Sequence, residues 1–535
     1  MNCSPRQLLA LPDEILEASL IHAAAHDIVS CLKTCKQLYQ IITGSSYLQL
    51  ILELAIEGLR IRGYPSRYMP CGMDTKSAAE RLVQLNRWKE AWIGQKSWQK
   101  LTSELHFSES DVKDGLYIRV LQMGDTVHTL EAYSLWIEQD QKELKLWRKY
   151  DLDVMVYVYS FEPSENLLAL VEAEEFIEDD EEYRESRIRV HLKALDNGLP
   201  HPRAKMAVLD NVWIRSCNRC SIETCGDIVV LFCTGSFLQG YLFVWNWKTG
   251  EELYECHGAR GFAYLTPSSI MVARCLSADN MFLELVDLCM GSSGKVMLEL
   301  PPSRMRIRVT SQHISANSPY LHEDIPLSPF VCDETAERVL VITVDDGNHW
   351  DNDIFDVHWF VLVRPLLQLL AKSNAASPSP NQDCFSWEEW NQDTIYSTGS
   401  STRVIPRFTI WGARVGLVFH SPISLIDGGL RTLGPEDLPS YNFIIPFLDF
   451  NPRPAIRASS KKMATELDNN LMSQKIVEYV NRELFHNGGS ASLPTTVRCL
   501  GIFCNGPWPD IVVDTNHIIV GFKYSDRSEV RQLMP

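Results

Sequence analysis

The spacing of apolar residues changes near position 98, and this change constrains the fold more than any other feature of the chain. Before it, apolar residues recur every three or four positions, which is typical of amphipathic helices. After it, β-branched and aromatic residues form short runs between Gly, Pro, Asn and Asp, which is typical of strands. The clearest runs are 154–161, 167–171, 188–192, 228–232, 241–247, 281–288, 339–344 and 357–363. We therefore expect an α+β multidomain chain with N-terminal helices and a mostly β remainder.

One segment of the β part indicates how its strands are connected. Residues 226–253 contain a strand pattern, a loop, a second strand pattern and then a Lys248-Thr249-Gly250 turn into a third. This order makes up most of one blade of a β-propeller. Segments 158–174 and 261–288 repeat the scheme without a strict period. A degenerate β-propeller is predicted for 101–535, and the alternative is a β-sandwich or a pair of sandwiches.

The N-terminal residues predict short helices with more apolar surface than a single core contact needs. Pro12 suits the first turn of a helix, and Asp13 and Glu14 favour its positive end. Apolar residues then spread around this helix at Ile15, Leu16, Leu20 and Ile21. A second helical pattern follows a cap expected at Asp27, with its apolar positions at Cys31, Cys35, Leu38 and Ile42. Because so short a module has a marginal core, its surplus apolar surface favours contact with another protein.

A longer pattern runs through these expected helices, opening with LPDEIL at 11–16 and closing with TCK at 34–36. Its positions are Leu11, Pro12, Asp13, Glu14, Ile15, Leu16, Leu20, His22, Asp27, Ile28, Cys31, Thr34, Cys35, Lys36 and Leu38. The pattern resembles the F-box. The resemblance implies three helices within 1–60 that bind the Skp adaptor of cullin-RING ubiquitin ligases. The implied contact residues are Leu11, Pro12, Ile15, Leu16, Leu20, Ile28, Cys31, Cys35 and Leu38. The alternative is an ordinary helical hairpin packed on the main domain.

Two further helices are expected before the β part. Residues 47–59 are apolar except for a polar stripe, and this helix should end at Gly58. The stripe consists of Gln49, Glu53 and Glu57. Ser77 and Glu80 have the spacing of a capping box at the start of the next helix. The apolar side of that helix is formed by Ala78, Leu82, Leu85, Trp88 and Trp92. Residues 61–100 are thus a predicted helical linker, which resembles the linker of mushroom-type (basidiomycete) F-box proteins; any helical hairpin is the alternative.

The charge and cysteine content of the chain exclude several classes of partner and location. Fifty basic against 68 acidic residues give a formal net charge of −18, which disfavours nucleic acid and anionic membranes as partners. The sequence shows no secretion signal pattern and no uninterrupted membrane-spanning stretch. The fifteen cysteines are odd in number and irregularly spaced, which fits reduced thiols better than a disulfide framework. The expected location is the cytoplasm, the nucleus or both.

The sequence contains no motif that predicts catalysis or cofactor binding. GxSxG, GxxxxGK(S/T), HExxH and GxGxxG are missing. The strongest metal candidate is the trio Cys217, Cys220 and Cys225, but structural zinc generally uses four ligands, so ordinary strand cysteines are the preferred interpretation. A polar hairpin loop, rather than a metal site, is the interpretation of His349, Asp351, Asp353, Asp356 and His358. We expect that the chain is not an enzyme and holds neither metal nor cofactor.

Three segments interrupt the β pattern, and two loops are candidates for binding a target. We expect an acidic loop at 172–185, a flexible loop at 371–381 and a late helix at 463–485. The acidic loop and the segment around Trp350 are candidate target-binding loops, because loops carry function and acidic loops attract basic partners. The expected function is a substrate-recruiting adaptor of a cullin-RING ubiquitin ligase. The alternatives are an F-box scaffold protein without a ligase role and an unrecognised enzyme in the β part.

Overall fold

The fold is that of a computed structural model, which describes most of the N-terminal half and the regular elements of the remainder. The described residues are 10–62, 75–92, 103–104, 110–123, 126–135, 145–177, 184–215, 217–235, 240–277, 280–290, 294–300, 306–310, 330–333, 338–345, 356–375, 384–390, 395–400, 406–411, 414–419, 423–426, 429–432, 443–449, 496–502, 509–513, 518–523 and 528–533. Helices come first and strands dominate from Ser103 onward, so the predicted order of N-terminal helices and a mostly β remainder is confirmed.

Five helices lie in the described residues before Ser103. They are α1 (Asp13–Leu20), α2 (Ala25–Leu32), α3 (Lys36–Gly44), α4 (Ser46–Glu57) and α5 (Thr75–Trp92). As predicted, α4 ends at Gly58, which adopts the left-handed conformation (φ 71°). In contrast, Asp27 does not cap α2, because that helix already begins at Ala25 and Asp27 lies in its first turn. An acidic side chain there still favours the positive end of the helix dipole.

The larger described sheets of the β region are mainly antiparallel: five have four or five strands, and the sheet between residues 110 and 215 has seven. In that sheet, the strand Lys145–Glu162 pairs with the preceding strand through its first half and with the following strand through its second half. We divide the sheet at this strand and so describe seven four-stranded units.

Unit 1 contains β3 (Ser110–Lys113), β4 (Leu116–Met123), β5 (Thr126–Ser134) and the first half of β6 (Lys145–Glu162). Unit 2 contains the second half of β6, β7 (Leu167–Ile177), β8 (Arg184–Ala194) and β9 (Val208–Arg215). Unit 3 contains β10 (Cys217–Cys225), β11 (Ile228–Gly235), β12 (Gly240–Asn246) and β13 (Glu251–His257). Residues 226–253 therefore supply three strands of one unit, as the strand pattern predicted.

The remaining units follow the same order along the chain. Unit 4 contains β14 (Ala259–Thr266), β15 (Ser269–Ser277), β16 (Asn280–Asp287) and β17 (Lys295–Glu299), joined by the short parallel strand β22 (Cys384–Phe385). Unit 5 contains β18 (Arg306–Thr310), β20 (Val339–Asp345), β21 (Asp356–Leu362) and β23 (Ile395–Ser400). Unit 6 contains β24 (Pro406–Trp411), β25 (Arg414–Phe419), β28 (Phe443–Asp449) and β29 (Thr496–Ile502). Unit 7 contains β30 (Pro509–Val513), β31 (Ile518–Lys523), β32 (Ser528–Leu533) and β2 (Ser103–Glu104).

The first and last strands of the β region pair with each other. Ser103 and Glu104 in β2 lie antiparallel to Val530 and Glu529 in β32. Each unit contacts the next along the chain, and β30 of unit 7 contacts β3 of unit 1. The series of units therefore closes on itself, and the backbone ladder of unit 7 is completed by residues from the opposite end of the β region.

The other described elements lie outside the four-stranded units. They are β1 (Leu59–Ile61), β19 (Phe330–Cys332), the hairpin of β26 (Ile423–Ile426) and β27 (Gly429–Thr432), and the helices α6 (Val363–Ala375) and α7 (Trp387–Trp390). β1 pairs with β19. No helix within the described ranges is long and apolar enough to cross a membrane.

Two segments differ from the loops predicted for them. In the predicted acidic loop, Glu172–Ile177 belongs to β7, where Glu172 faces Arg189 of β8 across the ladder. The guanidinium lies 3.3 Å from Glu172 and 2.9 Å from Glu174, so these carboxylates are neutralised within the sheet. In the predicted flexible loop, 371–375 continues α6, whose Leu366 and Leu370 are buried. The late helix predicted at 463–485 lies outside the described residues.

Candidate partner-binding surface on the N-terminal helices

The first four helices form a small module with a core of its own. Its buried cluster consists of Leu20, Ile28, Leu38, Ile42, Leu48 and Leu52. Every helix from α1 to α4 contributes to this cluster, and Ile28 and Ile42 are fully buried. These side chains recur at helical spacing, so each short helix turns one apolar stripe inward.

Polar contacts fix how α1 lies against the other helices. Asp13, in the first turn of α1, accepts a hydrogen bond of 2.9 Å from the Gln37 amide of α3. Glu17, one turn further, accepts a hydrogen bond of 2.5 Å from the Ser45 hydroxyl. The same hydroxyl accepts the backbone amide of Leu48 at 3.2 Å and so caps α4. Ser45 thus connects the first helix to the start of the fourth.

A second set of apolar side chains, on the first three helices and just before the first, is exposed to solvent. The exposed apolar set consists of Leu11 (39 % exposed), Ile15 (50 %), Val29 (40 %) and Tyr39 (55 %). These are four of the thirteen large hydrophobic side chains that are exposed within the described residues. All four lie between positions 11 and 39, so exposed apolar surface is concentrated in this part of the described chain.

The nine predicted contact residues divide between the core and the surface of the module. Four are buried: Leu16, Leu20, Ile28 and Leu38. Cys31 and Cys35 are half-buried, and Leu11, Pro12 and Ile15 are exposed. Sequence reasoning did not include Val29 and Tyr39, which follow the buried Ile28 and Leu38 directly. The sequence could have indicated them, because each is a large apolar residue directly after a residue of the predicted apolar pattern.

The helical module is joined to the β region through β1 and the residues beside it. β1 pairs with β19, and the Asp333 amide donates a hydrogen bond of 2.9 Å to the Gly58 carbonyl. Arg62 forms an ion pair of 3.0 Å with Asp114, and both side chains are buried. α5 packs on α4, where Lys89 forms an ion pair with Glu53 from the predicted polar stripe. The module is therefore held to the β region by strand pairing and by buried charge.

The candidate metal cysteines are regrouped by the structure. Cys217 and Cys220 lie together, with their sulfur atoms 3.2 Å apart, but the third thiol beside them is Cys233, whose sulfur is 3.0 Å from that of Cys220. Cys225 is buried in a different core cluster. Hydrogen bonding to Cys220 lowers the pKa of Cys217, and hydrogen bonding to Cys217 raises the pKa of Cys220. Sequence reasoning missed Cys233 because its proximity arises from strand pairing.

Two buried titratable groups of the β region have strongly shifted pKa values. His358 of β21 is fully buried and contacts the Thr343 hydroxyl through Nδ1 at 3.1 Å, and burial lowers its pKa to about 4. Glu162 at the end of β6 is fully buried and bonds the Ser164 hydroxyl, and burial together with Asp114 raises its pKa to about 8. Of the residues assigned to the polar loop, Asp356 and His358 lie in β21, which begins at Asp356. His349, Trp350, Asp351 and Asp353 lie outside the described residues, so the loop before this strand stays a prediction.

Comparisons with known proteins leave the function open. No protein-family model and no curated protein matches the chain. Among solved structures, the WD40 domain of SCAP from fission yeast is 7 % identical, with a TM-score of 0.32, and the match covers 76 % of this chain and 81 % of that domain. The β-propeller domain of the Trilobed protease from Pyrococcus furiosus is 10 % identical, with a TM-score of 0.30, covering 66 % and 91 %. The protein lmo1340 from Listeria monocytogenes is 8 % identical, with a TM-score of 0.33, covering 79 % and 90 %. Such low similarity supports no inference about what the chain binds.

Proposed function

We propose that the chain is a substrate-recruiting adaptor of a cullin-RING ubiquitin ligase, whose N-terminal module binds a Skp adaptor. The observation that carries the proposal is the exposed apolar set on a module that already has its own core. Leu11 and Ile15 belong to the F-box-like opening of the sequence, and both remain in solvent. An apolar surface of this kind is stabilised when another protein covers it.

We further propose that the β region is a seven-bladed β-propeller that holds the target. Seven four-stranded meanders in chain order support this proposal, as does the pairing of the first strand of the region with the last. Such pairing removes the exposed edge that an open series of sheets would leave. Strand ends in this arrangement present loops around a rigid scaffold, and loops so placed are common binding surfaces.

The proposed mechanism is proximity rather than bond-making by the chain itself. The ligase assembly supplies the ubiquitin-loaded enzyme, and the β region holds a target whose lysine side chains react with it. Binding both on one scaffold raises their effective concentration. The buried Arg62–Asp114 ion pair and the β1–β19 ladder support this role, because they limit how far the module swings relative to the bound target.

A matched pair of surface variants tests the proposal. Ile15→Asp places a charge in the exposed apolar set, whereas Val83→Asp places the same charge on α5, at a side chain that is equally exposed (51 % against 50 %). We expect Ile15→Asp to weaken binding of a purified Skp adaptor at least about tenfold, which corresponds to about 1.4 kcal/mol. Val83→Asp should bind like the unaltered chain. Equal binding by Ile15→Asp, or no binding by the unaltered chain, rejects the adaptor role.

A second measurement separates a ligase subunit from a scaffold that binds only the Skp adaptor. Cullin is added to the purified complex of the full chain with the adaptor, and the mixture is resolved by size. Co-migration of cullin with the chain supports the ligase role. Displacement of the chain from the adaptor by cullin favours the scaffold.

A further inference from the structure

Three cysteine side chains converge where unit 2 packs against unit 3. The sulfur atoms of Cys217, Cys220 and Cys233 all lie within 4.8 Å of one another. Cys233 belongs to the buried core between the two units, and the other two thiols pack against that core while remaining half-buried. The sulfur cluster, defined as these three side chains, is therefore rigid on one side and reachable from solvent on the other.

The strand geometry explains why these three cysteines meet. Cys220 and Cys233 are directly paired across β10 and β11, so their side chains lie on the same face of the sheet. Three positions separate Cys217 from Cys220, a spacing that puts two residues of a regular strand on opposite faces. The register shifts between Cys217 and Arg219, and this irregularity brings the Cys217 side chain to the face of the other two.

The same rule excludes Cys225 from the cluster. Five positions separate it from Cys220, and the register between them is continuous, so the two side chains lie on opposite faces. Cys225 is fully buried against β12 and β14 side chains such as Leu242 and Tyr264. Because Cys225 lies in β10, like Cys217 and Cys220, but outside the cluster, replacing it is a control for replacing a cysteine of the cluster.

Three converging sulfur atoms are better explained by a shared cation than by a disulfide. Cys220 contacts both neighbours, at 3.2 Å and 3.0 Å, and a disulfide with either one leaves the third thiol beside it. A zinc ion binds thiolates at about 2.3 Å, which separates two bound sulfur atoms by about 3.8 Å. The two sulfur atoms beside Cys220 lie at 3.2 Å and 3.0 Å from it, so each pair must separate by less than about 1 Å to accept the ion, which small side-chain rotations provide. Thiolate sets of this kind select soft cations, above all Zn²⁺ and Cu⁺.

We propose that Cys217, Cys220 and Cys233 form a binding site for a thiophilic cation between units 2 and 3. The three thiols bind as thiolates and release their protons to solvent when the cation enters. Cys233 supplies the buried ligand, and the two half-buried cysteines close the site from the outside. With Zn²⁺, the fourth position is open to a water molecule, whereas Cu⁺ is satisfied by the three sulfur atoms.

Metal titration of the full chain tests the site. The protein is kept reduced and free of oxygen, and Zn²⁺ or Cu⁺ is added in competition with a chromophoric chelator for that ion. We expect one tightly bound equivalent of at least one of the two ions. Cys220→Ser should abolish this equivalent, and Cys233→Ala should weaken it at least tenfold. Cys225→Ala removes a buried thiol from the hairpin of β10 and β11 but not from the cluster, so this variant should bind the same equivalent of metal.

Independent readouts separate a lost ligand from a lost fold. Cd²⁺ bound at the site should give thiolate-to-metal charge-transfer absorption in the Cys225→Ala variant and not in Cys220→Ser, while both variants keep the circular dichroism spectrum of the unaltered chain. The bound ion should also raise the unfolding temperature only where the cluster is intact. The proposal is overturned if all variants bind metal equally, or if Cys225→Ala loses binding as much as Cys220→Ser does. It is also overturned if the chain binds no metal and its mass is lower by two hydrogen atoms, which indicates a disulfide.

Discussion

The helical module and the β region differ in how much of their apolar surface they cover by themselves. The module has a cluster of six buried side chains, and four of its large apolar side chains are exposed. The described cluster between units 2 and 3 alone has sixteen buried side chains, including Phe243, Trp245 and Trp247. The comparison teaches that the β region builds large cores between neighbouring sheets, whereas the module has a small core and exposed apolar side chains beside it.

Polar groups are also treated differently in the two regions. In the module, the hydrogen bonds of Asp13 and Thr43 are on the surface, and the buried Glu53 is paired with Lys89 of α5. In the β region, Lys113, Glu162 and His358 are buried. Buried ionisable groups couple stability to pH, while exposed ones contribute little. The following predictions test whether the two regions respond as separately as this comparison implies.

The largest effect is expected in the core of the β region. Trp247 is fully buried, donates a hydrogen bond of 2.7 Å to the Gly226 carbonyl and contacts the His201 ring edge-on. Trp247→Ala should lower the free energy of unfolding by about 3–5 kcal/mol, since it leaves a cavity and an unpaired carbonyl. Trp213→Ala is the matched control, because that side chain is half exposed. Denaturant titration followed by circular dichroism measures both, and a smaller loss for Trp247→Ala contradicts the prediction.

The next effect should be confined to the module. Ile28→Ala removes a fully buried side chain from a six-residue core and should cost about 2–4 kcal/mol of local stability. Its neighbour Val29→Ala, at an exposed position, should cost about 0.5 kcal/mol or less. Hydrogen exchange should show faster exchange of the α1 to α4 amides in Ile28→Ala, with β11 and β12 unchanged. If amide exchange in β11 and β12 becomes faster by the same factor, the two regions unfold together.

A pH effect is expected in the β region alone. Burial lowers the pKa of His358 from 6.5 to about 4, so the unfolded chain binds the extra proton first. Above pH 6.5, His358 is neutral in both states and does not reduce the free energy of unfolding. As the pH falls towards 4, the unfolded state gains the proton first, and the free energy of unfolding falls by about 3 kcal/mol in total.

The raised pKa of Glu162 gives a slope of the opposite sign in the same pH range, so the loss is measured as the difference in unfolding free energy between the unaltered chain and His358→Leu. Denaturant titrations at a series of pH values should show this difference shrinking as the pH falls from 6.5 towards 4. His257→Leu, at an exposed histidine, should keep the full slope.

The smallest effect concerns the contact that orders the helices of the module. Ser45→Ala removes the cap of α4 and the hydrogen bond to Glu17, and should cost about 1 kcal/mol. Ser46→Ala, one residue further along, should be neutral within about 0.5 kcal/mol. Thermal unfolding of the two variants side by side provides the measurement. A neutral Ser45→Ala indicates that the small core alone determines how the helices pack.

Much of the fold was predictable from local patterns. Helical spacing and Gly58 predicted α4, helical spacing predicted α5, and short runs of β-branched and aromatic residues predicted eight strands. The capping box expected at Ser77 and Glu80 was wrong, because α5 already begins at Thr75 and Ser77 lies in its first turn. The acidic segment was assigned to a loop because fourteen residues rich in carboxylates look solvated. The described residues 172–177 form a strand, in which Glu172 contacts Arg189 and His191 of the neighbouring strand. No local pattern reveals such cross-strand pairing.

By itself, the sequence determined the order of helices and strands and the absence of recognisable catalytic motifs. Its resemblance to the F-box implied nine candidate contact residues in the module. Only the tertiary structure decided which of the nine residues face solvent. Buried Leu16 and exposed Ile15 are equally apolar neighbours, so hydrophobicity alone does not show which one enters the core. The tertiary structure also replaced Cys225 with Cys233 in the sulfur cluster and joined Ser103 to the last strand. In each case the reason is the same: local periodicity specifies a conformation, whereas the pairing of distant strands specifies which side chains meet.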